Sequence, residues 1–120
     1  MKKETTPLRL IYPQWQGGIV DHWMPDIPVE DSSRGYYLGA QLLNLLAPDS
    51  NQKTVEVPVS LDINDRATEK GINSRNVIVK QSKAALDILN ENKPDRIIIL
   101  GGECSVSVVP FTYLAARYPN

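Results

Sequence analysis

The residues best suited to chemistry lie in one short segment, Gly101-Gly102-Glu103-Cys104-Ser105, which follows an apolar run. Cys104 is the single cysteine of the chain, so an internal disulfide is excluded and a reducing compartment is expected. The positive end of a helix dipole favours anions, including a thiolate, at a helix start. Three interpretations of Cys104 stay open: a metal ligand, a reactive thiol, and a small buried apolar side chain.

The other titratable candidates have weaker signals. His22 is the single histidine, so a site built from several histidines is excluded, and we expect this side chain to be exposed or locally bonded. Glu103 is interpreted as a loop or capping residue near a helix start, with a place beside a metal as the alternative. Asp62 and Asp65 are interpreted as loop residues, and Trp15 and Trp23 as packing residues.

Hydrophobic periodicity predicts the elements that must position these residues, in the order β-α-β-α-β-α. Ser32 or Ser33 is expected to cap the first helix. Residues 19–33 are expected to form an irregular loop, because prolines oppose long regular elements. Strands are predicted at 8–12, 54–59 and 97–100, and helices at 34–46, 70–91 and from Ser105 or Ser107 to Tyr118.

Strands that alternate with helices predict an α/β fold, a three-layer α/β/α sandwich with a parallel sheet and right-handed crossovers. The run Ile97-Ile98-Ile99-Leu100 is typical of a strand buried on both faces. A sheet of three parallel strands has two open edges, which need cover. We therefore expect residues 1–120 to form one unit that is part of a larger domain, held by self-association or by the remainder of that domain.

Ligands of open α/β sheets bind beyond the carboxyl ends of the strands. Three loops are predicted there: 13–18, 58–62 and 101–107. The third could approach a phosphate through its two glycines, but the G-x-G-x-x-G pattern of dinucleotide sites is missing. A nucleotide-binding domain is therefore the weakest of the functional hypotheses.

The segment from Pro94 to Ser105 resembles the first metal motif of the arginase (ureohydrolase) superfamily, a hydrophobic strand that ends in Gly-Gly-Asp-His-Ser. The segments 15–18, 39–40, 55–58 and 110–114 are similar to a bacterial branch of that family, in which cysteine often replaces the histidine. The resemblance implies an arginase-like fold and a manganese-dependent hydrolase that cleaves a C–N bond of a guanidino or amidino compound by attack of metal-bound hydroxide.

Within this chain the resemblance implies one site residue, Cys104, as the counterpart of a metal-ligating histidine. Glu103 stands where the family usually has aspartate. A soft thiolate suits Zn²⁺, iron or copper better than Mn²⁺, so manganese is a weaker expectation here than in the family. One ligand cannot hold an ion, and the chain alone is not expected to be a complete catalyst. The alternative is an arginase-fold module that lost catalysis and serves binding or interaction.

Composition narrows the class of partner. The formal net charge is −1 and the chain is 42% hydrophobic and 22% charged, which is ordinary for a globular protein. No basic stripe is present, so nucleic acid is not expected as a partner. No apolar run is long enough for a signal peptide or a membrane span, so we expect a cytoplasmic protein without a membrane partner.

Overall fold

The computed structural model describes residues 5–48 and 52–119, and they form an α/β fold with a parallel sheet. Short 3-10 turns at Gln16–Gly18 and Cys104–Ser107 precede α1 and α4. The strands are β1 (Pro7–Ile11), β2 (Lys53–Glu56) and β3 (Arg96–Leu100), and the helices are α1 (Val20–Trp23), α2 (Val29–Leu46), α3 (Arg75–Asn92) and α4 (Val108–Arg117).

The sheet has the strand order β2-β1-β3, with every neighbouring pair parallel. Leu8 of the central strand is in register with Lys53 on one side and with Ile97 on the other. Tyr12 continues the ladder by donating its amide to the Leu100 carbonyl. The predicted order of elements and the parallel sheet are therefore confirmed.

One face of the sheet forms the hydrophobic core. Leu8, Leu10 and Tyr12 point to this face because side chains alternate along a strand, and all three are fully buried. They pack against residues of α3, the second 3-10 turn and α4, namely Ala85, Leu89, Val106 and Tyr113.

The opposite face is covered by α2. Ala40 of this helix lies against Gly101, where an added Cβ would be 2.3 Å from the Ala40 Cβ. Arg9 is buried on the same face, and its guanidinium donates to the Asn44 side chain and to the Pro48 carbonyl at 2.7 Å. Helices thus lie on both faces of the sheet, as the three-layer prediction requires.

The predicted start of α2 is wrong by five residues. The helix begins at Val29 rather than at residue 34, and its N-cap is Pro28 rather than Ser32 or Ser33. Proline is tolerated at a helix start because its missing amide has no acceptor there, and Glu30 and Asp31 in the first turn suit the helix dipole. The expected irregular loop is also interrupted by the single turn of α1.

Two other boundaries differ from the predictions. The β2 strand ends at Glu56, shortly before Pro58, which has no amide to donate to a ladder. The α3 helix begins at Arg75 and not at residue 70, because Glu69 and Ile72 close a tight turn through reciprocal backbone hydrogen bonds.

The prediction that β3 is buried on both faces is wrong for the described residues. The Ile98 side chain, on the α2 face, is 43% exposed, and no described strand pairs with the outer edge of β3. The α2 surface turned away from the sheet is also apolar, and its Leu45 is 80% exposed. A large apolar surface therefore adjoins the β3 edge of the sheet.

None of the helices in the described ranges combines the length and the apolar character that crossing a bilayer requires.

Candidate functional site

A crevice at the carboxyl edge of the sheet is the candidate site, and the topology explains its place. The chain leaves β1 towards α2 on one face of the sheet and leaves β3 towards α4 on the other face. Adjacent parallel strands whose connections diverge in this way leave a crevice between their loops, where ligands of open α/β sheets bind. Two of the three loops expected at this edge, 13–18 and 101–107, face each other here.

Close backbone contacts hold the two loops together. The Glu103 amide donates to the Gln14 carbonyl at 3.0 Å. Gly17 lies so close to Glu103 that an added Cβ would be 2.6 Å from its carboxylate. At Gly102 (φ +85°) an added Cβ would be 2.4 Å from the Tyr12 carbonyl oxygen, so this position requires glycine for both its conformation and its space.

The Glu103 carboxylate is occupied by internal hydrogen bonds. It accepts from the Ser105 amide at 2.9 Å, from the Ser105 hydroxyl, and from Gln14 Nε2 at 2.6 Å. Glu103 is the N-cap of the 3-10 turn that follows. The interpretation of Glu103 as a capping residue is confirmed.

Behind Glu103 lies a buried network of three glutamines, Gln14, Gln16 and Gln81. Gln81 Nε2 donates to Gln14 Oε1 at 2.9 Å and to Gln16 Oε1 at 3.2 Å. Gln81 Oε1 accepts from the Ser60 amide at 2.9 Å, and Gln16 Nε2 donates to the Ser60 carbonyl at 3.0 Å. The network thus joins the loops after all three strands to the middle of α3.

Sequence reasoning missed these glutamines. Gln14 and Gln16 follow the first strand in a segment that contains Pro13, Gly17 and Gly18, which reads as an ordinary polar turn. Their burial depends on contact with α3, more than 60 residues away in the chain (separations of 67 and 65). Hydrophobic periodicity is a local signal and cannot reveal such a contact.

Cys104 follows the capping glutamate and is exposed. The interpretation of Cys104 as a small buried apolar residue is therefore wrong, whereas those of a metal ligand and a reactive thiol remain predictions. The physical reason for its exposure is the turn itself, since Glu103 and Val106 on either side direct their side chains to the network and to the core.

Two tyrosines lie close to the crevice. Burial, followed by the negative charges of Glu103 and Cys104, raises the pKa of Tyr36 above its ordinary value. Burial is also the main cause that raises the pKa of Tyr12, and the charge of Glu103 adds to it. The Ser82 hydroxyl nearby opposes that shift, but Tyr12 Oη forms no hydrogen bond of good geometry with the described residues.

The two tryptophans and His22 have separate environments. Trp15 is buried and its indole donates to the Ser60 carbonyl at 2.8 Å, so the packing interpretation is confirmed for this residue. It is wrong for Trp23, which is 77% exposed at the end of the short helix α1. His22 is exposed, as expected, and lines a cleft together with Arg66 and Asp21.

The Asp21–Arg66 ion pair crosses that cleft with a distance of 2.9 Å between Oδ2 and Nη1. The hydrogen bond from Arg66 lowers the pKa of Asp21.

Of the residues proposed for chemistry, the structure brings Glu103, Cys104 and Ser105 together at one crevice. It leaves Asp62 and Asp65 exposed in the loop that follows β2, as interpreted.

The described residues do not by themselves fit a manganese centre. Within 5–48 and 52–119, no group of three or more His, Cys, Asp or Glu side chains could hold an ion. The carboxylate beside Cys104 already accepts three hydrogen bonds, and a thiolate is a poor ligand for Mn²⁺.

The comparisons with known proteins supply no family. No model of a known protein family matches this sequence, and no curated protein matches it.

Proposed function

We propose that this chain is the N-terminal part of a metal-dependent, ureohydrolase-like protein that hydrolyses a C–N bond of a guanidino or amidino compound. One observation carries the proposal. Cys104, which the resemblance makes the counterpart of the family's metal-ligating histidine, is exposed at the crevice between β1 and β3, where open α/β sheets bind ligands.

The residues around Cys104 have a positioning role in this proposal. Glu103 caps the turn and ties it to Gln14, while the glutamine network fixes Gln14 from behind. A side chain held by such a shell presents its reactive atom in a narrow range of positions, which metal binding and catalysis both need.

The proposal places the other metal ligands outside the described residues. Because Cys104 is a thiolate donor when ionised, Zn²⁺ or Fe²⁺ suits this position better than the manganese that the resemblance implies. A bound ion would supply an activated water to attack the substrate carbon.

The test is hydrolysis of a panel of guanidino and amidino compounds by the protein together with the remainder of its domain, supplied in turn with Mn²⁺, Zn²⁺ and Fe²⁺. We expect activity with Zn²⁺ or Fe²⁺ in the wild type. Cys104→Ala should lower kcat at least 100-fold, the order of effect found when catalytic side chains are removed. Cys104→His should shift the metal preference towards Mn²⁺, because imidazole is a better ligand for that ion.

Ser107→Ala serves as the matched control, because Ser107 belongs to the same turn and its side chain caps nothing. Equal loss of activity in Ser107→Ala and Cys104→Ala would assign the effect to folding rather than to the thiol. Absence of hydrolysis with every metal and compound would contradict the enzyme proposal.

A second candidate, a non-catalytic module of the same fold that binds a protein partner, is favoured by the apolar surface near β3. Five leucines of α2 are exposed: Leu38, Leu42, Leu43, Leu45 and Leu46. An exposed apolar surface of this extent normally marks an interaction site. In this alternative the surface binds a second copy or the remainder of the domain, and the protein retains no metal.

A further inference from the structure

A cleft of about 250 Å³ opens at the N-terminus of α3, apart from Cys104. The loops after β1 and β2 form its walls, and part of the wall is apolar, from Ile19, Val20 and Val29. Its polar lining comes mainly from His22, Arg66, Thr68, Asn73 and Ser74.

Ser74 is the unusual residue of this cleft. It occupies the N-cap position of α3 and is only 3% exposed, yet its hydroxyl makes no hydrogen bond to the amides that an N-cap serine normally satisfies. No other described residue bonds to this hydroxyl. A second hydroxyl in the cleft wall, that of Ser32, is fully buried and has no partner among the described residues. Buried polar groups without partners are rare in native proteins and call for a physical explanation.

The electrostatic field in the cleft favours an anion. The first amides of an 18-residue helix lack intrahelical acceptors and form the positive end of its dipole. Arg66 donates through Nε to the Ile63 carbonyl and through Nη1 to Asp21, and among the described residues nothing accepts from its Nη2. The Asp21 carboxylate offsets part of the positive charge of Arg66 and of the helix end. The charge that remains suits a ligand with a single negative charge.

We propose that this cleft binds the carboxylate group of a small aliphatic acid through the Ser74 hydroxyl and Arg66 Nη2, at the positive end of the α3 dipole. The apolar wall takes the aliphatic part of the ligand. A cleft of about 250 Å³ is smaller than the roughly 300–1,000 Å³ of typical ligand pockets, which suits a small ligand. The ligand class is therefore a short-chain carboxylic acid.

Gln16 lines this cleft and also belongs to the glutamine network that reaches Glu103. The cleft therefore adjoins the crevice through a continuous set of hydrogen bonds. The inference does not rest on the hydrolase proposal, because it needs no metal and no activity.

The test is an NMR titration of the ¹⁵N-labelled, metal-free protein with butyrate, and separately with inorganic phosphate. We expect butyrate to shift the amide signals of Asn73, Ser74 and Arg75. Ser74→Gly removes the hydroxyl and suits the backbone, since φ at Ser74 is +55°. It should weaken butyrate binding about tenfold, the effect of losing one hydrogen bond to a charged group.

Lys93→Gly is the matched control, because Lys93 has a similar φ of +49° at the opposite end of α3. We expect this variant to bind butyrate as the wild type does. Three results would overturn the proposal: no shift of these amides, equal weakening in both variants, or binding of phosphate but not of butyrate. Loss of hydrolase activity would not bear on it.

Discussion

Gln81 shows what single side chains contribute to the candidate site. Its amide forms buried hydrogen bonds to Gln14 and Gln16 and a partly buried one to the Ser60 backbone. A buried network of this kind is stabilising only when every member has a partner, since one missing partner leaves several polar groups unsatisfied. The network therefore fixes the loops on which the crevice depends.

Gln81→Met should lower the free energy of unfolding by about 1–3 kcal/mol, because methionine has a similar length but leaves the partners of Gln81 unsatisfied. Urea unfolding followed by circular dichroism measures the change. Lys80→Met, at the exposed neighbouring position, should have an effect of less than about 0.5 kcal/mol. If both variants unfold at the wild-type urea concentration, the network does not stabilise the protein.

The Gly101-Gly102 turn is the element on which the site geometry depends. Gly101 has a φ of +85° and lies against Ala40, so the turn both ends β3 and fixes the distance between the sheet and α2. A side chain at this position would be strained by its backbone conformation and would also collide with the helix.

Gly101→Ala should destabilise the protein by roughly 2–6 kcal/mol, a sum of about 1–3 for the positive φ and about 1–3 for overpacking against Ala40. Substitutions of two other glycines distinguish the effect of the positive φ from that of the collision with Ala40. Gly71 has a positive φ but open space around it, and Gly39 has open space within α2. Thermal unfolding should show a smaller loss for Gly71→Ala and a gain of about 0.5–1 kcal/mol for Gly39→Ala. Equal losses for Gly101→Ala and Gly71→Ala would exclude the collision.

Sequence patterns predict the order of elements and the parallel sheet here because both depend on local periodicity and on the alternation of strands and helices. They predict the positions of Glu103 and Cys104 at a strand end for the same reason. They fail at the start of α2, where a proline N-cap outweighs the serine caps, and at Gln14, Gln16 and Gln81. Those glutamines are part of the site only through contacts between distant segments.

At the level of the whole molecule, the free edge of β3 is the most consequential feature. Ile98 is exposed on one face beside the apolar surface of α2, and Phe111 of α4 is exposed at 71%. An apolar edge strand with apolar helices nearby is a template for pairing with another chain. The sheet is therefore expected to continue into a second copy or into the remainder of the domain.

We expect the 120-residue chain to self-associate in sedimentation velocity experiments, and Ile98→Lys to shift it towards the monomer. A lysine on an edge strand opposes pairing because its charge would be buried in the contact. Val79→Lys, on α3 and away from this edge, serves as the control for added charge. A wild-type chain that is monomeric at every concentration would contradict the prediction, and so would equal dissociation in both variants.

Metal retention by the protein is the most direct test of the proposed role of the crevice. The protein together with the remainder of its domain, as the wild type and as the Cys104→Ala variant, is incubated with Zn²⁺, Fe²⁺ or Mn²⁺, desalted and analysed for metal by mass spectrometry. We predict that the wild type retains Zn²⁺ or Fe²⁺ in preference to Mn²⁺ and that Cys104→Ala retains at least tenfold less, since losing one ligand removes much of the affinity of a metal site. Equal retention by the two proteins, or none by either, would contradict the assignment of Cys104 as a metal ligand.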